Sequence, residues 1–387
     1  NADLGLTTRM YGVAAGLFYV TYVLFEVPSN LILAHVGARR WIARIMVSWG
    51  IVAAGMCLVQ SAMQLYVMRL LLGAAEAGFT PGIIYYLSCW YPRSDRARAM
   101  SFFYIGATLA SMIGVPLSGL LLGLNGAMGM AGWRWLFLLE GVPAVALGVV
   151  VLFYLPDTPS KAPWLSDAQK TWLNGVIQKE ADSSPVAHST LWHQALRSRR
   201  VWLLSLFWFL QASATLGITI FLPLIVRSVT TGSDLSVTLL SGLPFMFACV
   251  FMYANGRHSD RTGERRLHLG APLLAAGTLL IAAVFSGNQV ASYALLAVTI
   301  ALSWAATPVF WAVMTEYLSG KAAAVSIGLI NGIANICGVG LPPLMGYIKD
   351  TTNTYDYALL LVAAALLAGG ALGLYLGPLA TRGQHTA

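Results

Sequence analysis

The stretch Gly256-Arg257-His258-Ser259-Asp260-Arg261-Thr262-Gly263-Glu264-Arg265-Arg266 is a short, charge-rich turn between two long apolar runs, Leu235–Asn255 and Leu267–Phe285. A shorter counterpart, Gly37-Ala38-Arg39-Arg40, stands between Tyr11–Leu33 and Trp41–Val59. Runs of about twenty apolar residues suit a helix crossing a hydrocarbon layer about 30 Å thick. The remaining apolar runs are Leu65–Trp90, Ala99–Leu122, Trp133–Leu155, Val201–Val226, Val290–Met314, Ala322–Ile348 and Tyr357–Leu376. None alternates in the manner of a barrel strand, so the sequence predicts eleven spanning helices.

Composition agrees with that reading. Of 387 residues, 58% are hydrophobic and 10% charged, where a soluble domain carries about a quarter charged. This excludes a water-soluble enzyme, a secreted domain and a disordered chain. The net charge of +8 is spread over short connections rather than one patch, which excludes nucleic acid as partner. Basic connections alternate with nearly bare ones. Arg39, Arg40 and Arg44 form one, and Arg93, Arg96 and Arg98 the next. The long central segment and the turn at Arg257–Arg266 are basic too, whereas Ser61–Gln64, Asn125–Gly132 and Gly287–Gln289 are not. Positive residues stay inside, so Asn1 is expected outside and the tail at Arg382 in the cytoplasm. Cys57, Cys89, Cys249 and Cys337 have no paired spacing, which points to neither a disulfide framework nor a zinc site. The sequence holds no phosphate-binding loop and no nucleophile elbow, and its histidines lie in loops or the tail. No enzyme, no metal and no cofactor are expected.

Aligning Gly37–Arg40 with Gly263–Arg266 pairs the five runs before the central segment with the last five of the six after it. The first half lacks a partner for the remaining run. The expectation is a chain that starts after an opening helix, carrying eleven of twelve spans in two six-helix halves. Residues 1–155 form the first half, 156–200 the cytoplasmic connector, and 201–387 the second half and tail. Parallel repeats of this kind place a transport site between the halves near the membrane midplane. In the connector, Ser166 and Gln169 have capping-box spacing, and Trp172, Leu173, Val176 and Ile177 share one face of a short interfacial helix.

Ionisable groups inside a span are costly and mark function unless a neighbour pairs them. Arg69 and Glu76 share the third run, almost two turns apart on one face and about 10 Å apart along the axis. Arg can grip a carboxylate through parallel hydrogen bonds, and Glu can take up and release a proton. The alternative is that each is paired to an adjacent helix. Glu26 and Glu140 are read as helix-packing acids. Asn331 and Asn335, one turn apart, either grip substrate oxygens or bond between helices. Trp311, after Pro308, walls the cavity or faces a neighbour. Tyr104, Thr108 and Gln211 are further liners, and Gly78 and Gly82 have spacing for close helix packing.

The turn Gly256–Arg266 resembles the cytoplasmic loop motif of the major facilitator superfamily at every defining position. The first-half run Asn30–Arg40 keeps Gly37, Arg39 and Arg40 but has Asn30 for the motif's Gly and Ala34 for its Asp. Arg69-Leu70-Leu71-Leu72-Gly73-Ala74-Ala75-Glu76-Ala77 looks like the fourth-helix motif. Phe25-Glu26-Val27-Pro28-Ser29-Asn30, Trp133-Arg134-Trp135, Leu139-Glu140-Gly141-Val142-Pro143-Ala144 and Leu155-Pro156-Asp157-Thr158-Pro159 are similar to the anion:cation symporter family within it. That family holds bacterial permeases for tartrate, phthalate, hydroxyphenylacetate and sugar acids. The resemblance also places a substrate-facing tyrosine at Tyr22.

The residues and the resemblance together predict an all-α multi-pass transporter of the bacterial inner membrane, a monomer, taking up an organic carboxylate with protons by alternating access. Arg69 is expected to bind the anion and Glu76 to carry the proton, with Tyr22, Trp311, Asn331, Asn335, Tyr104, Thr108 and Gln211 shaping the cavity. Gly37, Arg39, Arg40, Gly256, Asp260, Arg261, Gly263, Arg265 and Arg266 are the gating-loop residues. Gly263 is expected to reverse the chain at positive φ, and Asp260 to meet the dipole of the helix that follows it and a neighbouring Arg. The alternatives are an exporter or uniporter of neutral or cationic compounds, and a non-transporting receptor or scaffold.

Overall fold

The computed structural model describes residues 8–182, 198–229, 234–317, 320–352 and 354–376. The expected inward tail at Arg382 lies outside the described residues. Each of the eleven apolar runs falls on helix. The first half contains α1 (Thr8–Val36), α2 (Ala38–Gly55), α3 (Ala62–Glu76), α4 (Phe79–Ser88), α5 (Arg96–Leu122) and α6 (Gly132–Tyr154). The connector helix is α7 (Asp167–Asp182). The second half contains α8 (Arg199–Val229), α9 (Asp234–Thr262), α10 (Arg266–Phe285), α11 (Gln289–Tyr317), α12 (Gly320–Asn335), α13 (Cys337–Thr352) and α14 (Asp356–Leu376).

Two runs expected as single helices are broken. Leu65–Trp90 divides into α3 and α4 at Gly78, whose φ of 86° is left-handed and costs glycine no Cβ clash. Pro81 in the first turn of α4 fits a helix start, where a missing N–H has no consequence. Ala322–Ile348 divides into α12 and α13 at Ile336.

The helix pairings are alike on the two sides of the connector. α2 lies along α6 in the first half as α10 lies along α14 in the second, and α1 lies along α3 as α9 lies along α11. Both long pairs are glycine-lined. A Cβ on Gly141 would fall 2.8 Å from the Gly50 carbonyl oxygen, and one on Gly370 would fall 2.8 Å from the Leu274 nitrogen. In lipid such small faces let backbones approach and gain dispersion contact where no hydrophobic force acts between helices.

The halves meet along two seams, α5 against α9 and α11, and α1 with α4 against α12. Each has a glycine facing a side chain. Gly256 of α9 abuts Ala97 and Ser101 of α5, and Gly328 of α12 abuts Asn30 of α1. The first-half departure from the loop motif, Asn30 where the second half has Gly256, is thus matched by a glycine on the helix opposite. The capping box of α7 forms as expected, with Gln169 N donating to Ser166 Oγ at 3.3 Å and Ser166 N to Gln169 Oε1 at 2.9 Å.

Candidate functional site

A polar cluster lies between the halves. On α1, Tyr19, Tyr22 and Glu26 are spaced three and four residues apart, which puts them on one face. Arg69 of α3 donates from Nε to the Ala14 carbonyl at 3.1 Å, and its guanidinium lies 5.2 Å from the Phe18 ring centre. Arg69 and Glu76 are within electrostatic reach of one another, and Tyr19 is within reach of both. Glu76 is the last residue of α3 rather than mid-helix, a consequence of the break at Gly78. Tyr22, buried against Phe18, faces Glu26, Glu76, Thr80 and Tyr104.

From the second half, Asn331 enters this cluster. Its Nδ2 donates to Glu26 Oε1 at 2.9 Å, and its Oδ1 accepts from Trp208 Nε1 at 3.0 Å. Trp208 stacks on Phe310 with ring centres 5.2 Å apart and meets Trp311 edge-on at 5.0 Å. Trp311 is fully buried and faces Tyr104 across the seam. Tyr104 lies 6.4 Å from Trp304 by ring centres.

Three expected liners make bonds within their own half. Asn335 Nδ2 donates to the Asn331 carbonyl of its own helix at 2.9 Å, closing the last turn of α12 before the break. Thr108 Oγ1 donates to the Tyr104 carbonyl at 2.8 Å, a bond within α5 that satisfies a hydroxyl locally. Gln211 Nε2 bridges to the Ser303 carbonyl and Thr307 Oγ1, each at 2.8 Å, and so ties α8 to α11 inside the second half. Glu140, expected as a packing acid, accepts from Ser118 Oγ at 2.6 Å. A separate cavity of about 560 Å³ lies among α8, α13 and α14, lined by Phe209, Leu210, Ile336, Leu341 and Leu361 among others. Its lining is almost wholly apolar, so it is no site for a carboxylate.

The loop motif builds a second cluster at one end of the bundle. Gly37 and Gly263 have φ of 95° and 65°, the left-handed reversal that such turns require. Asp260 does not meet the helix that follows it. Its Oδ2 accepts from Arg98 N at 2.8 Å, at the N-terminus of α5 in the opposite half, while Oδ1 accepts from Arg265 Nη1 at 2.6 Å. Sequence alone pairs the acid with its own hairpin, but the α5–α9 seam brings a nearer helix start. Arg265 also bonds Glu316 at 2.6 Å and donates to the Arg93 carbonyl at 3.0 Å. Burial works against the Arg265 charge, and Glu316 and Asp260 outweigh it, holding the guanidinium above its usual range. Arg96 donates to the Thr315 carbonyl at 2.9 Å across the seam and to Glu180 of α7 at 3.3 Å. Burial lowers its guanidinium, with Glu180 opposing. In the first half, where Ala34 replaces the acid, Asp157 takes its place on the turn. Asp157 Oδ1, at the start of the connector, accepts from Arg39 N at 3.0 Å and, among the described residues, makes no bond to the second half. Arg40, Arg261 and Arg266 are exposed and make no part of the cross-half cluster.

Residues 1–342 match the sequence model of the Major Facilitator Superfamily. The chain belongs to that superfamily. It is 44% identical over 378 residues, 97% of its length and 83% of the relative's, to an Agrobacterium vitis protein named for tartrate transport. It is 37% identical to the quinolone resistance transporter of Acinetobacter baumannii, over 95% of this chain and 85% of that one. Among solved structures, the proton:xylose symporter XylE aligns over 96% of this chain and 87% of its own with a TM-score of 0.75. At 14% identity that likeness is one of fold. As a facilitator the chain is a multi-pass membrane transporter and not an enzyme.

Tyr19 and Trp208 belong to this facilitator's cluster, and sequence reasoning passes over both. Each is an aromatic residue inside an apolar run, and nothing local separates it from a lipid-facing aromatic. Tyr19 has one signal, its position one turn before Tyr22 and two before Glu26. Glu26, expected as a packing acid, does bond a neighbouring helix, but that helix belongs to the other half.

Proposed function

We propose that this facilitator carries an organic carboxylate inward with protons across a bacterial inner membrane. Residues 1–155 and 201–387 act as two rocking halves joined by 156–200. The observation that carries the reading is the grouping of Arg69, Glu76, Tyr19 and Tyr22 on α1 and α3 as electrostatic neighbours, with Tyr19 facing Gly338 of the second half. A guanidinium there is a strong anion site, because charge-assisted hydrogen bonds to carboxylate gain strength away from water. A neighbouring carboxyl that alternates between charged and neutral forms changes the field on that anion, so substrate and proton bind in a linked way. Trp208, Phe310 and Trp311 supply an aromatic wall for the rest of the substrate, and the Asn331 amide a polar edge. Asp260, Arg265 and Arg98 hold one end closed, and that closure breaks when the site opens there.

The test is the full-length protein in liposomes enclosing a pH-sensitive dye, with aromatic, dicarboxylic and sugar acids added outside. Acidification that depends on substrate and saturates supports symport and identifies the class. Saturable exchange without proton movement removes the coupling. A second reading, outward transport of a drug-like compound, is favoured by the quinolone-resistance relative and the aromatic wall. In that case quinolone addition drives proton antiport and carboxylates do nothing.

A further inference from the structure

We propose that Glu26 is a second proton-carrying residue, charged and discharged by the opening and closing of the α1–α12 seam. The inference deepens the proton-coupled reading and rests on it. Glu26 is wholly buried, and its two oxygens have different surroundings. Oε1 accepts from Asn331 Nδ2 at 2.9 Å, whereas Oε2 is buried with no hydrogen bond among the described residues. Asn331 is held in its orientation because its own oxygen accepts from Trp208 Nε1, so it presents N–H, not C=O, to the carboxyl. The backbone around the pair is tight: the Glu26 carbonyl accepts from Asn30 Nδ2 at 2.8 Å, and Gly328 and Gly332 of α12 face Asn30 and Glu26.

The titratable groups facing Glu26 are Tyr22 of its own helix and Glu76 at the end of α3. α12 offers it the neutral Asn331 and α8, through Asn331, the neutral indole of Trp208. No cation is among these neighbours. A carboxylate offered only the Asn331 amide and the neighbouring Tyr22 hydroxyl, with an acid nearby, is a poor resting form in a bilayer-spanning bundle. The acid form needs only the Asn331 bond and a proton on Oε2. When α1 leaves α12, the Asn331 bond breaks, water reaches the carboxyl, and the O–H bond at Oε2 gives its proton to that water, leaving the carboxylate. Glu26 lies eleven residues before Gly37, about 16 Å from the loop-motif end at 1.5 Å per residue. Opening from that end therefore discharges the proton to the loop-motif side; the seam re-forms over the charged carboxyl at a cost, and Glu26 regains its proton when the site is open to the opposite face, which completes net carriage. Glu76 answers to the substrate anion through Arg69, and Glu26 answers to the seam.

The seam can be read without substrate. Asn30→Cys places a thiol one turn from Glu26 on the face toward Gly328. Its alkylation by a water-soluble reagent in the full-length protein is followed by mass spectrometry of the α1 peptide, at pH 5 to 8. Each rate is divided by that of the unfolded protein at the same pH, which removes the thiol's own titration. The normalised rate is expected to rise with pH, by up to about tenfold per pH unit, the limit for one linked proton. With Glu26→Gln added it stays low and flat, because the amide keeps the Asn331 bond and carries no removable proton. Glu26→Asp keeps a pH response, which excludes misfolding as the cause, and Glu76→Gln keeps it too. A flat profile in the Glu26 parent, or an unchanged response in Glu26→Gln, overturns the proposal. Loss of the response in Glu76→Gln alone moves the proton to Glu76 and overturns it as well. Failure of every carboxylate in the liposome assay would sink the substrate reading while leaving this profile readable.

Discussion

Asp260 caps a helix of the opposite half: its Oδ2 accepts the Arg98 backbone N–H at 2.8 Å, at the first turn of α5. A carboxylate at that position meets the positive end of the helix dipole and an unpaired N–H together, and Arg265 fixes it from the other side. Asp260→Asn removes the charge while keeping a side-chain acceptor. The closed end is expected to lose about 1–3 kcal/mol, shifting the protein toward the state open there. Cysteine accessibility at the α5–α9 seam measures the shift. Ala34→Asp changes little, since Asp157 already serves the first-half turn. Equal transport defects from the two substitutions would contradict this asymmetry.

Glu76→Gln removes a proton site without changing shape. Accumulation against a gradient is expected to stop, while exchange of labelled for unlabelled substrate continues. Counterflow in liposomes separates the two, and normal accumulation by the variant would take the coupling role from Glu76.

Arg69→Lys keeps a positive charge but loses the planar fork, the Nε bond to the Ala14 carbonyl and the stacking on Phe18. One charge-assisted hydrogen bond is worth about 1.5–3 kcal/mol. The carboxylate KM is therefore expected to rise by about tenfold to a hundredfold. An unchanged KM would place the anion elsewhere.

Gly256→Val inserts a side chain where Ala97 and Ser101 press against α9. Overpacking costs about 1–3 kcal/mol, and here it acts on closure rather than folding because the clash lies between halves. Transport should fall steeply while the melting temperature of the detergent-purified protein changes by only a few degrees. Gly263→Ala at φ 65° is the contrasting case, with strain inside one turn and a fall in stability.

Glu180 links the connector to this closure. It receives the Arg93 backbone N–H at 3.0 Å and the Arg96 guanidinium at 3.3 Å, and the Arg93 carbonyl in turn holds Arg265. Glu180→Gln is expected to loosen α7 first, seen as faster amide exchange across residues 167–182, with a smaller gain in seam accessibility than Asp260→Asn gives.

Span positions, the alternation of basic loops and the turn at Gly263 are legible in the sequence because each depends on residues near one another. Hydrocarbon thickness sets a run length, and a left-handed turn needs a glycine where it occurs. The break at Gly78 is half legible. Gly78 and Pro81 together mark a helix start, yet the apolar run continues through them and reads as one span. Arg69 and Glu76 are legible for a different reason, since charge inside a run of apolar residues stands out without any knowledge of neighbours.

The tertiary structure alone decided which helix each group faces. Asp260 and Arg98 are 162 residues apart, and Asn331 and Glu26 are 305 apart. A helix period fixes the face a side chain occupies, but the partner across that face depends on how two halves pack. That packing turned Asp260 toward α5, tied Gln211 to α11, and drew Glu26 and Trp208 into one chain through Asn331. The membrane protein was written in local hydropathy, and its site in contacts that only the closing of two repeats against each other creates.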